Sequence, residues 1–106
     1  MARFYLLPPR SVVADCMARS LRVSLPGLPI RVQTVEDLLD VLQSSYDEEA
    51  EVFVLFREEI PDGVNLELVL EDAFGAEFGD EITELRLTGN GQLAARTWRF
   101  EAMPVR

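Results

Sequence analysis

Few residues in this chain have the type and spacing to do chemistry: Arg10 and Ser11 behind Pro8-Pro9, a lone Cys16, and carboxylates grouped at Asp47, Glu48, Glu49, then Glu58, Glu59, then Asp80, Glu81. Arg10 and Ser11 follow a short apolar run and precede a helical pattern. A guanidinium, a hydroxyl and free helix amides at that point could hold a phosphate or a carboxylate. The loop is a poor nucleotide cradle, because it has no glycine and its two prolines remove two amide donors. The carboxylates could offer oxygen ligands to calcium or magnesium, but no spacing matches an EF-hand loop. They read as a solvated acidic face, so neither metal nor cofactor is expected. Cys16 lies on the apolar stripe of a predicted helix and reads as a buried, inert thiol.

What is missing narrows the chemistry further. The chain has no histidine, which excludes Ser-His and Cys-His nucleophiles and histidine-based zinc sites. All ten basic residues are arginine, which excludes Schiff-base chemistry and the lysine of a phosphate-binding loop. Carboxylates, arginine and backbone amides are what is left. No residue is assigned a catalytic role, and a non-enzymatic function is expected.

The elements that would position these groups alternate along the chain. With 106 residues, 48% of them hydrophobic, the chain suffices for one domain with one core. Arg3 to Leu7 reads as a strand buried on both faces, ended by Pro8-Pro9. Ser11 is the expected N-cap of a first helix, whose stripe is Val13, Met17 and Leu21 beside Val12 and Cys16, with Asp15 and Arg19 as a supporting pair. Pro29 to Gln33 alternates like a short strand with one wet face. Thr34 opens a second helix on Val35, Leu38, Leu39, Leu42 and Tyr46, with acids in its first turn. Residues 50–56 have an unbroken apolar core and are expected as a central strand covered by helices on both sides. Leu66, Val69, Leu70, Ala73 and Phe74 give a third helix, capped by Asn65 and stopped by Gly75.

The last quarter is expected to be a hairpin turning at Asn90-Gly91. That turn would set Leu87 opposite Ala94, Leu85 opposite Arg96 and Thr83 opposite Trp98. Leu85, Leu87, Trp98 and Phe100 would then share a face, and Glu84, Arg86, Thr97 and Arg99 the wet one. The predicted fold is a single three-layer α/β sandwich of order β-α-β-α-β-α-β-β with a C-terminal antiparallel hairpin.

The charge is segregated. Residues 1–35 hold five arginines against Asp15 (net +4), residues 36–84 hold seventeen acids against Arg57 (net −16), and residues 85–106 hold four arginines against Glu101 (net +3), giving −9 over the chain. Surface pairs are worth about 0–1 kcal/mol each, so internal pairing alone is a weak cause for such a partition. An acidic balance opposes binding to nucleic acid and to anionic membranes. No run approaches a membrane span, and the start is too soon broken by proline for a signal peptide, so a cytoplasmic location is expected. The function expected is a protein-interaction or assembly module with opposed faces, engaging another protein or a copy of itself. Arg19, Arg22 and Arg31 would lie on the basic face, and Asp47, Glu48 and Glu49 on the acidic one. The alternative is a small anion- or nucleotide-binding domain using Arg10 and Ser11.

Overall fold

The first apolar run forms β1 (Ala2–Leu7), with Phe4, Leu6 and Leu7 buried. The computed structural model describes residues 2–18, 24–25, 28–29, 34–43, 51–89 and 93–101. Directly after Pro8-Pro9 the chain enters α1 (Arg10–Ala18). The Pro9 carbonyl accepts from the Val12 and Val13 amides at 2.9 and 3.1 Å, so Pro9 opens the helix and Ser11, the expected cap, lies inside the first turn. Proline is tolerated at a helix start because the N–H it lacks would have no intrahelical partner there.

Two short strands, β2 (Ser24–Leu25) and β3 (Leu28–Pro29), pair antiparallel with each other. The alternating segment expected as a strand begins at Pro29, and its residues 30–33 lie outside the described residues. Thr34 caps α2 (Val35–Gln43), its hydroxyl accepting from the Asp37 amide at 3.1 Å, and Val35, Leu38 and Leu42 are buried as the spacing required. Tyr46 lies outside the described residues.

β4 (Glu51–Phe56) leads into a turn of 3-10 helix (Arg57–Glu59), in which the Phe56 amide donates to Glu59 Oε2 at 2.7 Å. α3 (Leu66–Phe74) has the expected ends. Asn65 Oδ1 accepts from the Glu67 amide at 2.9 Å, and Gly75 terminates the helix at φ 67°, a left-handed conformation that suits glycine. β5 (Glu81–Leu87) and β6 (Leu93–Arg99) form an antiparallel hairpin.

The four long strands form one mixed sheet in the order β4-β1-β5-β6, with β1 parallel to both β4 and β5. β1 is central, as its composition required. β4 is not: it stands at one edge, although its five apolar residues read as a central strand. The apolar run reflects coverage of both its faces, which helices supply at an edge as well as at the centre.

Residues on the same level share a face, and the two faces have separate cores. α1 and α2 cover one, where Val13, Cys16, Met17, Leu38 and Leu42 pack against Leu7, Phe56, Leu85 and Leu93. α3 covers the other, packing Leu70 with Phe4, Leu6, Leu55, Ile82 and Phe100. This is the three-layer α/β arrangement. Cys16 is buried at 4% exposure within the first core.

The hairpin register differs from the expected one. Leu87 pairs with Leu93, Leu85 with Ala95 and Thr83 with Thr97, so residues 88–92 connect the strands, and Asn90 and Gly91 lie outside the described residues. Relative to the expected pairing this is a slip of one residue, which reverses the faces of one strand against the other. Leu85 and Leu93 enter the α1/α2 core, while Ile82 and Trp98 face α3. The expected wet face is therefore split: Glu84 and Arg86 lie on one side of the sheet, Thr97 and Arg99 on the other. With cover on both faces, a one-sided pattern could not select the register.

Candidate functional site

The loop after β1 leads to α1 on one face of the sheet, and the segment after the neighbouring β4 leads to α3 on the other. Adjacent strands whose connections part in this way leave a crevice at their carboxyl ends, the usual ligand position in an open α/β sheet. Arg10 stands at this crevice. Its amide, a donor that could have served an anion, donates to Glu58 Oε1 at 3.1 Å. Its guanidinium carbon lies 4.4 Å from the centre of the Phe56 ring, a cation–π contact. The arrangement follows from the strand pairing, which sets Leu7 beside Phe56 and so brings Pro8-Pro9-Arg10 next to Arg57-Glu58-Glu59. An internal carboxylate thus occupies the helix start, and Ser11 is exposed beside it without a side-chain hydrogen bond among the described residues.

A depression of about 320 Å³ opens next to this point, lined by Leu6, Leu7, Pro8, Arg57, Glu84 and Leu85 with Arg86 and Leu87 at its rim. Glu84 is its charged centre. Arg86 Nε donates to Glu84 Oε1 at 2.7 Å, and Arg57 approaches Glu84 Oε2 at 3.9 Å. Both arginines are mostly exposed, whereas the Glu84 side chain is 12% exposed. The chemistry available is recognition of charge by two guanidinium groups beside an apolar floor. Among the described residues no group of three or more histidine, cysteine, aspartate or glutamate side chains is placed to hold a metal.

The second charged region is the outer strand β6. Ala94, Arg96, Thr97 and Arg99 are exposed along it. The Arg96 guanidinium lies 5.5 Å from the centre of the Trp98 ring, and Arg99 Nη1 donates to the Gly79 carbonyl at 3.1 Å. Phe78, in the turn before β5, is 77% exposed. Among the described residues neither Arg96 nor Arg99 has a carboxylate within ion-pair distance, and Glu84 is bridged to Arg57 and Arg86. The acids of the middle stretch point outward elsewhere: Glu36, Asp37 and Asp40 on α2, Glu51 on β4, Glu71 and Asp72 on α3.

Of the residues expected at a site, Arg10 and Ser11 are brought to the crevice, while Arg19, Arg22, Arg31, Asp47, Glu48 and Glu49 lie outside the described residues. Sequence reasoning missed Arg96, Arg99 and Trp98. Their signal was present, since arginine and tryptophan are among the residues most enriched where proteins bind each other. It also missed the contact of Glu58 with Arg10, which spans 48 residues of chain.

No helix among the described residues is long and apolar enough to cross a membrane. Set against family models, curated proteins and solved structures, the chain matches none.

Proposed function

We propose that this chain is a protein-interaction module without catalysis of its own, binding through charge presented on opposed parts of its surface. The observation that carries this reading is the outer strand β6, where Arg96 and Arg99 are exposed with no carboxylate partner among the described residues although seventeen acids crowd residues 36–84. Arginine beside tryptophan gives a cation with a flat apolar body, the combination that dominates binding energy at protein interfaces. Arg10 and Ser11 receive less support as an anion site, because a ligand would have to displace Glu58 from the helix start.

An interface of this kind weakens as salt rises, since exposed charges separated by more than about 10 Å are largely screened at 0.1 M ionic strength. The test is light scattering of the wild type at low and high salt, with parallel capture from lysate on immobilised wild type and on the Arg96→Glu/Arg99→Glu double variant. Salt-sensitive association, or capture that the double variant loses, is expected. A protein that is monomeric at every salt concentration and captures nothing beyond what the double variant captures would refute the reading.

A further inference from the structure

We propose that the depression at the carboxyl end of β1 is a binding site for the C-terminal end of a partner polypeptide, whose carboxylate is held by Arg57 and Arg86 and whose last apolar side chain rests on the leucines beside them. The site is separate from the arginines of β6 and does not depend on them.

It exists because the strands stop at different heights. β1 ends at Leu7, and Pro8-Pro9 turn the chain away into α1. Its pairing with β5 ends at Leu6 opposite Glu84, yet β5 runs on through Leu85, Arg86 and Leu87. Its pairing with β4 ends at Leu7 opposite Phe56, after which the chain turns at Arg57. A notch is left above the central strand, with Arg57 on one wall, residues 85–87 on the other and Leu6, Leu7 and Pro8 as its floor. Open α/β sheets take ligands in crevices of this kind, where the connections part to opposite faces. At about 320 Å³ it is at the small end for a ligand pocket, which suits the end of a chain.

Charge selects the group that enters. Glu84 and Arg86 stand two residues apart on one face and meet directly, while Arg57 reaches across the end of β1 to the other oxygen of the same carboxylate. Arg86 commits its Nε to Glu84, and a guanidinium has five N–H donors, so both arginines keep donors on the solvent side, where they are mostly exposed. The nearby acids are engaged elsewhere: Glu58 accepts from the Arg10 amide and Glu59 from the Phe56 amide, and neither lines the notch. Arg96, level with Glu84 on β6, stands over Trp98 and does not line it either. Two guanidinium groups and one carboxylate leave a net charge of +1. A carboxylate neutralises that and matches the planar fork of arginine. A phosphate monoester, at about −1.5 to −2, would overshoot it beside Glu84. Glu84 is thus a positioning residue, holding the two arginines ready.

The wall formed by residues 85–87 favours a polypeptide end over a free acid. Successive residues of a strand direct their backbone N–H and C=O groups to opposite sides, and past Glu84 those directed towards β1 meet no strand among the described residues. An extended segment in the notch meets them as a short added strand, with main-chain hydrogen bonds for affinity and the carboxylate to fix its end. Its last side chain covers Leu87, which is 50% exposed at the rim.

The experiment is a chemical-shift titration of the isotope-labelled protein with the acetylated tripeptides Ac-Ala-Val-Leu and Ac-Ala-Val-Phe, each with its carboxylate free or amidated, alongside N-acetyl-leucine and inorganic phosphate. The free tripeptides are expected to shift the amides of Leu6, Leu7 and residues 85–87 saturably, and amidation to weaken binding at least about tenfold. Arg57→Ala and Arg86→Ala should each weaken it by a similar factor with the fold retained, as their spectra will show. Arg86→Lys should recover only part of the loss, because an ammonium keeps the charge but not the fork. Arg99→Glu, on the opposite face and at the other end of the sheet, should leave the affinity unchanged. Equal binding of free and amidated tripeptides, an equal loss with Arg99→Glu, or no saturable shift with either free tripeptide would overturn the site. N-acetyl-leucine or phosphate binding as tightly as the tripeptides would overturn a polypeptide end as its occupant.

Discussion

The two faces of the sheet are covered to different extents. Against one, α1 and α2 lie side by side, and their aliphatic side chains bury Leu7, Phe56, Leu85 and Leu93 from β1, β4, β5 and β6. Against the other, among the described residues, there is α3 alone, and its core is aromatic: Phe4 stacks on Phe53 with ring centres 5.1 Å apart, and Phe74 meets both at 6.2 and 5.4 Å. A helix about 10 Å across spans roughly two strands spaced about 4.8 Å apart. One helix therefore cannot cover four, and the β5–β6 half of this face keeps Arg86 and Arg96 exposed and Trp98 half-buried. Coverage differs along the sheet: beneath the helix it is core, and along the outer strand β6 Arg96 stands exposed.

Substitution of one aromatic on each half sharpens that contrast most. Phe4 is fully buried under α3, and Phe4→Ala should lower unfolding free energy by about 3–5 kcal/mol through lost burial and the cavity left behind. Trp98→Ala, on the uncovered half, should cost less than half as much while weakening association. Urea unfolding of the two variants compares them directly, and equal losses would break the distinction between core half and surface half.

The next largest effect belongs to the turn between α3 and β5. Asp80, 5% exposed, accepts from the Ala2 amide at 3.0 Å and from the Glu77 amide at 2.8 Å, while its own carbonyl accepts from the Phe100 amide at 2.7 Å. Asp80→Ala leaves two amides without their carboxylate and should cost about 2–4 kcal/mol. A change in urea midpoint within error would show that packing, not these hydrogen bonds, holds this end of the sheet.

The smallest effect concerns the α1/α2 face. Burial raises the Tyr5 phenol above its ordinary 10.0; Arg3 pulls it down and Glu81 pushes it up, with burial the largest cause. Folding therefore favours the protonated phenol. Below the ordinary value both states are protonated and stability is unaffected. As pH rises through 10.0 the unfolded chain ionises first, so stability should fall. Tyr5→Phe should flatten that decline, measured as urea midpoints at about pH 8 and about pH 11. An unchanged slope would mean other groups carry it.

Much of the fold was legible wherever a local rule fixed it. The caps at Thr34, Asn65 and Gly75 were readable because side-chain oxygen and left-handed glycine act within three residues. The 3.6-residue stripe of α2 was readable because one side of the helix is wet. Strand order was not, because β4 is apolar on both faces, and composition reports cover above and below a strand but not what lies beside it. The hairpin register failed for the same reason, since Leu85 and Trp98 are both partly or fully covered yet on opposite faces. At the crevice, Arg10 and Glu58 were each named from sequence, but their contact was not. Nothing local links the two, and only the parallel pairing of β1 with β4 brings them together.

The placement of β1 also has a bearing on how the chain is made. Ala2 pairs with Glu51 and Arg3 with Glu81, so the central strand leaves the ribosome 49 residues before one neighbour and 78 before the other. Long-range pairing of this kind slows folding, and an unpaired apolar strand is exposed to wrong partners while it waits. Residues 2–7 would then depend on shelter during synthesis more than any segment made after them.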